Sequence, residues 1–127
     1  MEGSLMLSRL RRVKYNSKSG GLLVGYFHKY ILRKGEYTGY SKGALIENEF
    51  GRLITLNLGE FRFIDPPRKN YRKVVFTNSK NATELGLFHL WVRRKGLYKG
   101  IDTFALIERD DYTLSIQPYN SITFVNN

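Results

Sequence analysis

Residues 86–100 read GLFHLWVRRKGLYKG, and residues 25–39 of the same chain read GYFHKYILRKGEYTG. Both stretches place His, Arg-Lys-Gly and Tyr-x-Gly at one internal spacing. Shifting the sequence against itself by 61 residues aligns 25–64 with 86–125 without a gap. The identical pairs are Gly25/Gly86, Phe27/Phe88, His28/His89, Arg33/Arg94, Lys34/Lys95, Gly35/Gly96, Tyr37/Tyr98, Gly39/Gly100, Ala44/Ala105, Leu45/Leu106, Ile46/Ile107, Glu47/Glu108, Leu53/Leu114 and Phe63/Phe124. That is 14 of 40 positions, where ordinary residue usage gives roughly two or three by chance. The match extends upstream through Arg11/Arg72, Arg12/Lys73, Val13/Val74 and Tyr15/Phe76. The pattern predicts an internal tandem duplication, with a first β repeat over 1–64 and a second over 65–127. The two are expected to pack as one pseudo-symmetric unit, joined at Asp65-Pro66-Pro67, where proline stiffens a short linker.

Each repeat reads as all-β. Runs rich in Val, Ile, Leu, Tyr, Phe and Thr are separated by turn-forming residues at Ser17–Gly21, Lys34-Gly35, Glu49–Gly51 and Gly59-Glu60, with matching breaks in the second repeat. Neither repeat holds a capped amphipathic run, so little or no helix is expected. Two small five-stranded SH3-like or OB-like barrels fit this spacing, as does one pseudo-two-fold β-barrel or sandwich. A repeat of this size is marginal alone, which favours two packed together.

Composition narrows the partner. The chain has 127 residues, 21 Lys+Arg against 11 Asp+Glu, a formal charge of +10 and no cysteine. Disulfide frameworks and thiolate metal sites are excluded, and a cytoplasmic, reducing location is expected. No apolar run is long enough for a membrane helix, so no membrane partner is expected. The charge favours a polyanion, with RNA or single-stranded DNA as the expected partner. An acidic protein partner, as for a small phage-type inhibitor, and a nucleotide ligand are the alternatives. A monomer or a homodimer is compatible with the repeat.

Strict alternation along the strand around His28 puts Gly25, Phe27, Ile31 and Arg33 on one face, and Val24, Tyr26, His28, Tyr30 and Leu32 on the other. The second copy places Gly86, Phe88, Val92 and Arg94 opposite Leu85, Leu87, His89, Trp91 and Arg93. Imidazole beside a large aromatic forms a stacking platform for a base, which makes His28, Tyr30, His89 and Trp91 candidates, with Tyr37 and Tyr98 beyond them. Phosphate contacts are assigned to Arg11, Arg12, Arg33, Lys34, Arg72, Lys73, Arg94 and Lys95. Glu47 and Glu108 are expected to pair with His28/His89 or with Arg33/Arg94. A His-Glu-Arg-Tyr set is chemically able to cleave RNA without metal. A nuclease has little use for its whole constellation twice, so no catalytic residue, metal site or cofactor is assigned.

Overall fold

The computed structural model describes residues 9–34, 40–95 and 101–125, with side chains left out of the description at 32–42 and 94–102. The described residues form β1 (Arg12–Asn16), β2 (Leu22–Lys34), β3 (Tyr40–Glu47), β4 (Leu53–Asn57) and β5 (Phe61–Phe63), followed by β6 (Arg72–Thr77), β7 (Thr83–Lys95), β8 (Ile101–Glu108), β9 (Leu114–Pro118) and β10 (Ile122–Phe124). A 3₁₀ turn precedes β5 at Leu58–Glu60 and another precedes β10 at Tyr119–Ser121. Adding 61 to the bounds of β2, β3, β4, β5 and the first 3₁₀ turn gives the bounds of β7, β8, β9, β10 and the second.

The strands form two five-stranded antiparallel sheets. Their orders are β4-β3-β2-β1-β5 and β10-β6-β7-β8-β9, the same arrangement counted from opposite edges. The chain divides into two compact units: 1–32 with 42–69 form the first, and 70–127 with 33–41 form the second. No helix among the described residues is long and apolar enough to cross a membrane.

Alternation supplies each core. In the first sheet Val13, Tyr15, Ala44, Ile46, Phe61 and Phe63 are buried on one face. Val13 lies opposite both Gly25 and Phe63, Ile46 lies opposite Ile54, and Ile46 and Tyr15 both close on the side of Gly25 where a Cβ would stand, which puts them on one face. In the second sheet Val74, Phe76, Ala105 and Ile107 form the buried cluster, with Phe88, Ile122 and Phe124 packed on it. Repeated glycines let the core close: a Cβ at Gly25 would meet Ile46 Cγ2 at 2.7 Å and the Glu47 carbonyl at 2.8 Å, and one at Gly86 would run into Ile107 Cγ2.

Turn chemistry repeats as well. The β1–β2 turn is closed by Ser17 Oγ accepting from Gly21 N, and the β6–β7 turn by Asn78 Oδ1 accepting from Lys80 N and Ala82 N. Left-handed residues recur at the same offset, Gly20 with Asn81 and Gly51 with Tyr112. The expected joint at Asp65 is anchored to the first unit. Asp65 is buried, its carboxylate accepts from Arg12 N at 3.2 Å, and its carbonyl accepts from Arg11 Nη2 at 2.6 Å.

Candidate nucleic-acid interface

Strict alternation fails in β7, and the failure builds the site. Phe88 lies opposite Ile107 and Leu90 lies opposite Leu106, so His89 is an extra residue in the ladder. A bulge of this kind exchanges the faces of everything that follows it. Trp91 pairs with Ala105 and so lies on the Phe88 side, not on the His89 side that alternation predicts. Val92 moves the other way and is 1% exposed. Ring contacts agree: Trp91 lies 4.8 Å from Phe88 and 6.3 Å from Phe124, centroid to centroid. In the first unit Tyr30 meets Phe27 at 4.8 Å, so its ring too sits with the Phe27 side.

Trp91 is half-exposed at 45%. Phe88 and Phe124 hold it from within, which limits its freedom while leaving ring surface in solvent. Arg72 is exposed, and its guanidinium lies over Phe124 at 3.9 Å. Arg93, two residues beyond Trp91 and opposite Thr103, continues the same face and is exposed. Among the described residues neither Arg72 nor Arg93 makes an ion pair. A half-exposed indole, with one guanidinium over the neighbouring Phe124 ring and another two residues along its strand, can stack a base and hold phosphate oxygens. Lys73 is exposed on the opposite face of β6.

The histidines take a different place. His28 Nε2 lies 2.9 Å from Glu47 Oε1, and His89 Nε2 lies 2.8 Å from Glu108 Oε1. The first pair is partly exposed, at 34% and 21% for the side chains, whereas the second is at 1% and 1%. Tyr71 covers His89 face to face at 4.0 Å and 9°. His89 therefore offers no ring face to a ligand. Its pairing with Glu108, and that of His28 with Glu47, is the carboxylate pairing expected for the repeated Ala-Leu-Ile-Glu.

Arg11 is also internal. It is 5% exposed, lies 3.8 Å over the Phe63 ring and donates to the Asp65 carbonyl, so its cation serves the first unit's own packing. Arg12 is half-exposed and shares the Asp65 carboxylate with Arg68. The side chains of Arg33, Lys34, Arg94 and Lys95, and all of Tyr37 and Tyr98, lie outside the described residues. Phe124 and Arg93 were not singled out from sequence. Phe124 is visible there only as a repeated core aromatic, and Arg93 is found only once the bulge is known.

In the second unit, Glu84 accepts from Arg109 Nε at 3.1 Å and Nη2 at 3.0 Å, and from Asn78 Nδ2 at 2.8 Å. The Arg109 hydrogen bonds, then that of Asn78, hold the Glu84 carboxyl below the usual glutamate range. Comparison with protein families, curated proteins and solved structures finds no match to the chain.

Proposed function

We propose that the protein is a non-catalytic nucleic-acid-binding β module for single-stranded RNA or DNA, in which Trp91 stacks a base while Arg72 and Arg93 hold the flanking phosphates. The observation that carries this reading is the half-exposed Trp91 ring packed on Phe88 and Phe124, with Arg72 over Phe124, Arg93 two residues along the strand, and neither arginine in an ion pair among the described residues. The net charge of +10 supports it, because counterion release contributes most of the affinity for any polynucleotide. Single strands are favoured over duplex because stacking needs bases free of their neighbours. We read the His-Glu pairs as structural, since one geometry recurs in a half-exposed and a buried setting. Two units related by a tandem duplication, each curling into a small SH3-like barrel, fit the shared strand order and the 3₁₀ turn before each last strand.

Trp91 is the only tryptophan, so its fluorescence reports this site alone. Titration with single-stranded oligonucleotides is expected to quench it. Trp91→Ala is expected to weaken binding at fixed salt by about 5- to 150-fold, the equivalent of one stacked base. Saturable binding that leaves Trp91 fluorescence and the Trp91→Ala affinity unchanged would overturn the proposal.

A further inference from the structure

The first sheet carries a second cationic surface on the face turned away from its core. Lys14 on β1 lies directly opposite Arg62 on β5 and opposite Val24 on β2. Two residues earlier, Arg12 lies opposite Tyr26 on the same face. Like charges set opposite each other across a ladder are unfavourable. Among the described residues no carboxylate forms an ion pair with Lys14 or Arg62. The chain does neutralise cations nearby, since Arg11, Arg12 and Arg68 all converge on Asp65.

The second unit serves as an internal control. There the same ladder positions, 61 residues on, are Val75 and Thr123, and they pair in the same register. The fold thus closes without cations at these two places. Their presence in the first unit is not required by strand pairing, and two cations at paired positions, with no carboxylate joined to them among the described residues, suit an external anion. Val24 is 47% exposed beside them, apolar surface next to charge, as a nucleotide offers sugar next to phosphate.

Resting on the nucleic-acid reading above, we infer that Lys14 and Arg62, with Arg12 at their side, form a second contact for the phosphate backbone of a single strand. The Trp91 site engages a base, and the first-sheet surface engages backbone charge alone. A longer strand offers the first-sheet surface more phosphates than a short one.

The test uses the full chain and homopolymeric RNA of roughly 4 and roughly 16 nucleotides, the limits of the usual site sizes of small β modules. Affinity is followed from low to physiological salt. The variant is Lys14→Val with Arg62→Thr, the residues that the second unit already accommodates in this register. It is expected to keep the wild-type melting temperature or exceed it, and to leave Trp91 quenching by the short strand unchanged. For the long strand, the slope of log affinity against log salt should become shallower by about 1.4, two contacts at about 0.7 each. The charge-conserving Lys14→Arg with Arg62→Lys should retain the wild-type slope.

An unchanged long-strand slope in a folded Val/Thr variant overturns the second contact while Trp91 quenching keeps the first reading alive. No quenching in the wild type, with a slope that still falls in the variant, overturns the Trp91 reading instead and leaves a purely electrostatic surface. No binding to either strand overturns both. Binding of anionic vesicles with the same loss in the variant, and no slope change with RNA, reassigns the face to lipid headgroups and also overturns the inference.

Discussion

Removing Glu108 should cost far more than removing Glu47, although the two carboxylates make the same hydrogen bond. The two Nε2–Oε1 distances differ by only 0.1 Å, 2.9 Å against 2.8 Å, so the difference comes from burial. Glu108→Ala strips a carboxylate from an imidazole that is 1% exposed and stacked on Tyr71. Water cannot replace that acceptor without opening the sheet. Loss of one partner from a buried pair costs about 3–5 kcal/mol when the pair is charged, and about 1–3 kcal/mol for a neutral hydrogen bond. Glu47→Ala leaves His28 where solvent reaches it, for a cost below about 1 kcal/mol. In urea, with slopes of about 1–3 kcal/mol per molar, Glu108→Ala should lower the midpoint by roughly 1 M or more for a charged pair and by about 0.3 M or more for a neutral one. Trp91 fluorescence follows the transition, because Trp91 is on the same strand as His89. Glu108→Gln, which keeps an acceptor oxygen, should recover part of the loss. Equal midpoint shifts for the two alanine variants would refute the argument that burial sets the worth of this pair.

Other substitutions test the remaining assignments. Arg11→Ala should destabilise the first unit by about 2 kcal/mol, through lost charged hydrogen bonds to Asp65, yet leave the salt dependence of short-strand binding as in the wild type; Arg72→Ala should do the reverse, flattening the slope by about 0.7. Gly86→Ala forces a methyl into Ile107 and should lower stability by about 1–3 kcal/mol, read as a fall in melting temperature with strand content retained in far-UV circular dichroism. For Glu84 the sign follows from its depressed folded value: the Arg109 pairing adds stability above the unfolded pKa, and that contribution is lost as pH falls through the folded one. Glu84→Gln should therefore be less stable than wild type near neutrality and converge with it on acidification, and a gap that persists at low pH would contradict the assignment.

The all-β strand pattern was legible because its signals are local. Glycines at 25 and 86 are demanded by a close approach of Ile46 and Ile107, and turn residues such as Ser17 and Asn78 cap hairpins with their own side chains; both leave a residue-type signature. Three features were not legible. The bulge at His89 depends on how β7 registers with β8, and no residue type in HLWV announces it, so alternation puts Trp91 and Arg93 on the wrong face. The burial of Arg11 depends on Phe63 and Asp65, more than 50 positions away, and an arginine in a basic run carries no mark of that. The repeated His-Glu pairs are identical in sequence and differ in solvent access, a property of what surrounds each sheet rather than of the pair. Lys14 and Arg62 leave no signature in the matched residues, because Val75 and Thr123 stand at the corresponding positions of the second sheet.

In each unit the first strand pairs with the last, Val13 beside Phe63 and Val74 beside Phe124. Entry and exit of each unit are therefore neighbours, and the path between them returns to its starting point. Chains with adjacent ends tolerate being rejoined and reopened elsewhere. A short bridge from the end of β5 to the start of β1, with new termini cut in the exposed turn at Lys18–Gly20, would leave every ladder of the first unit intact. The same adjacency holds in the second sheet, so either sheet can be reopened at its first turn without rethreading its strands.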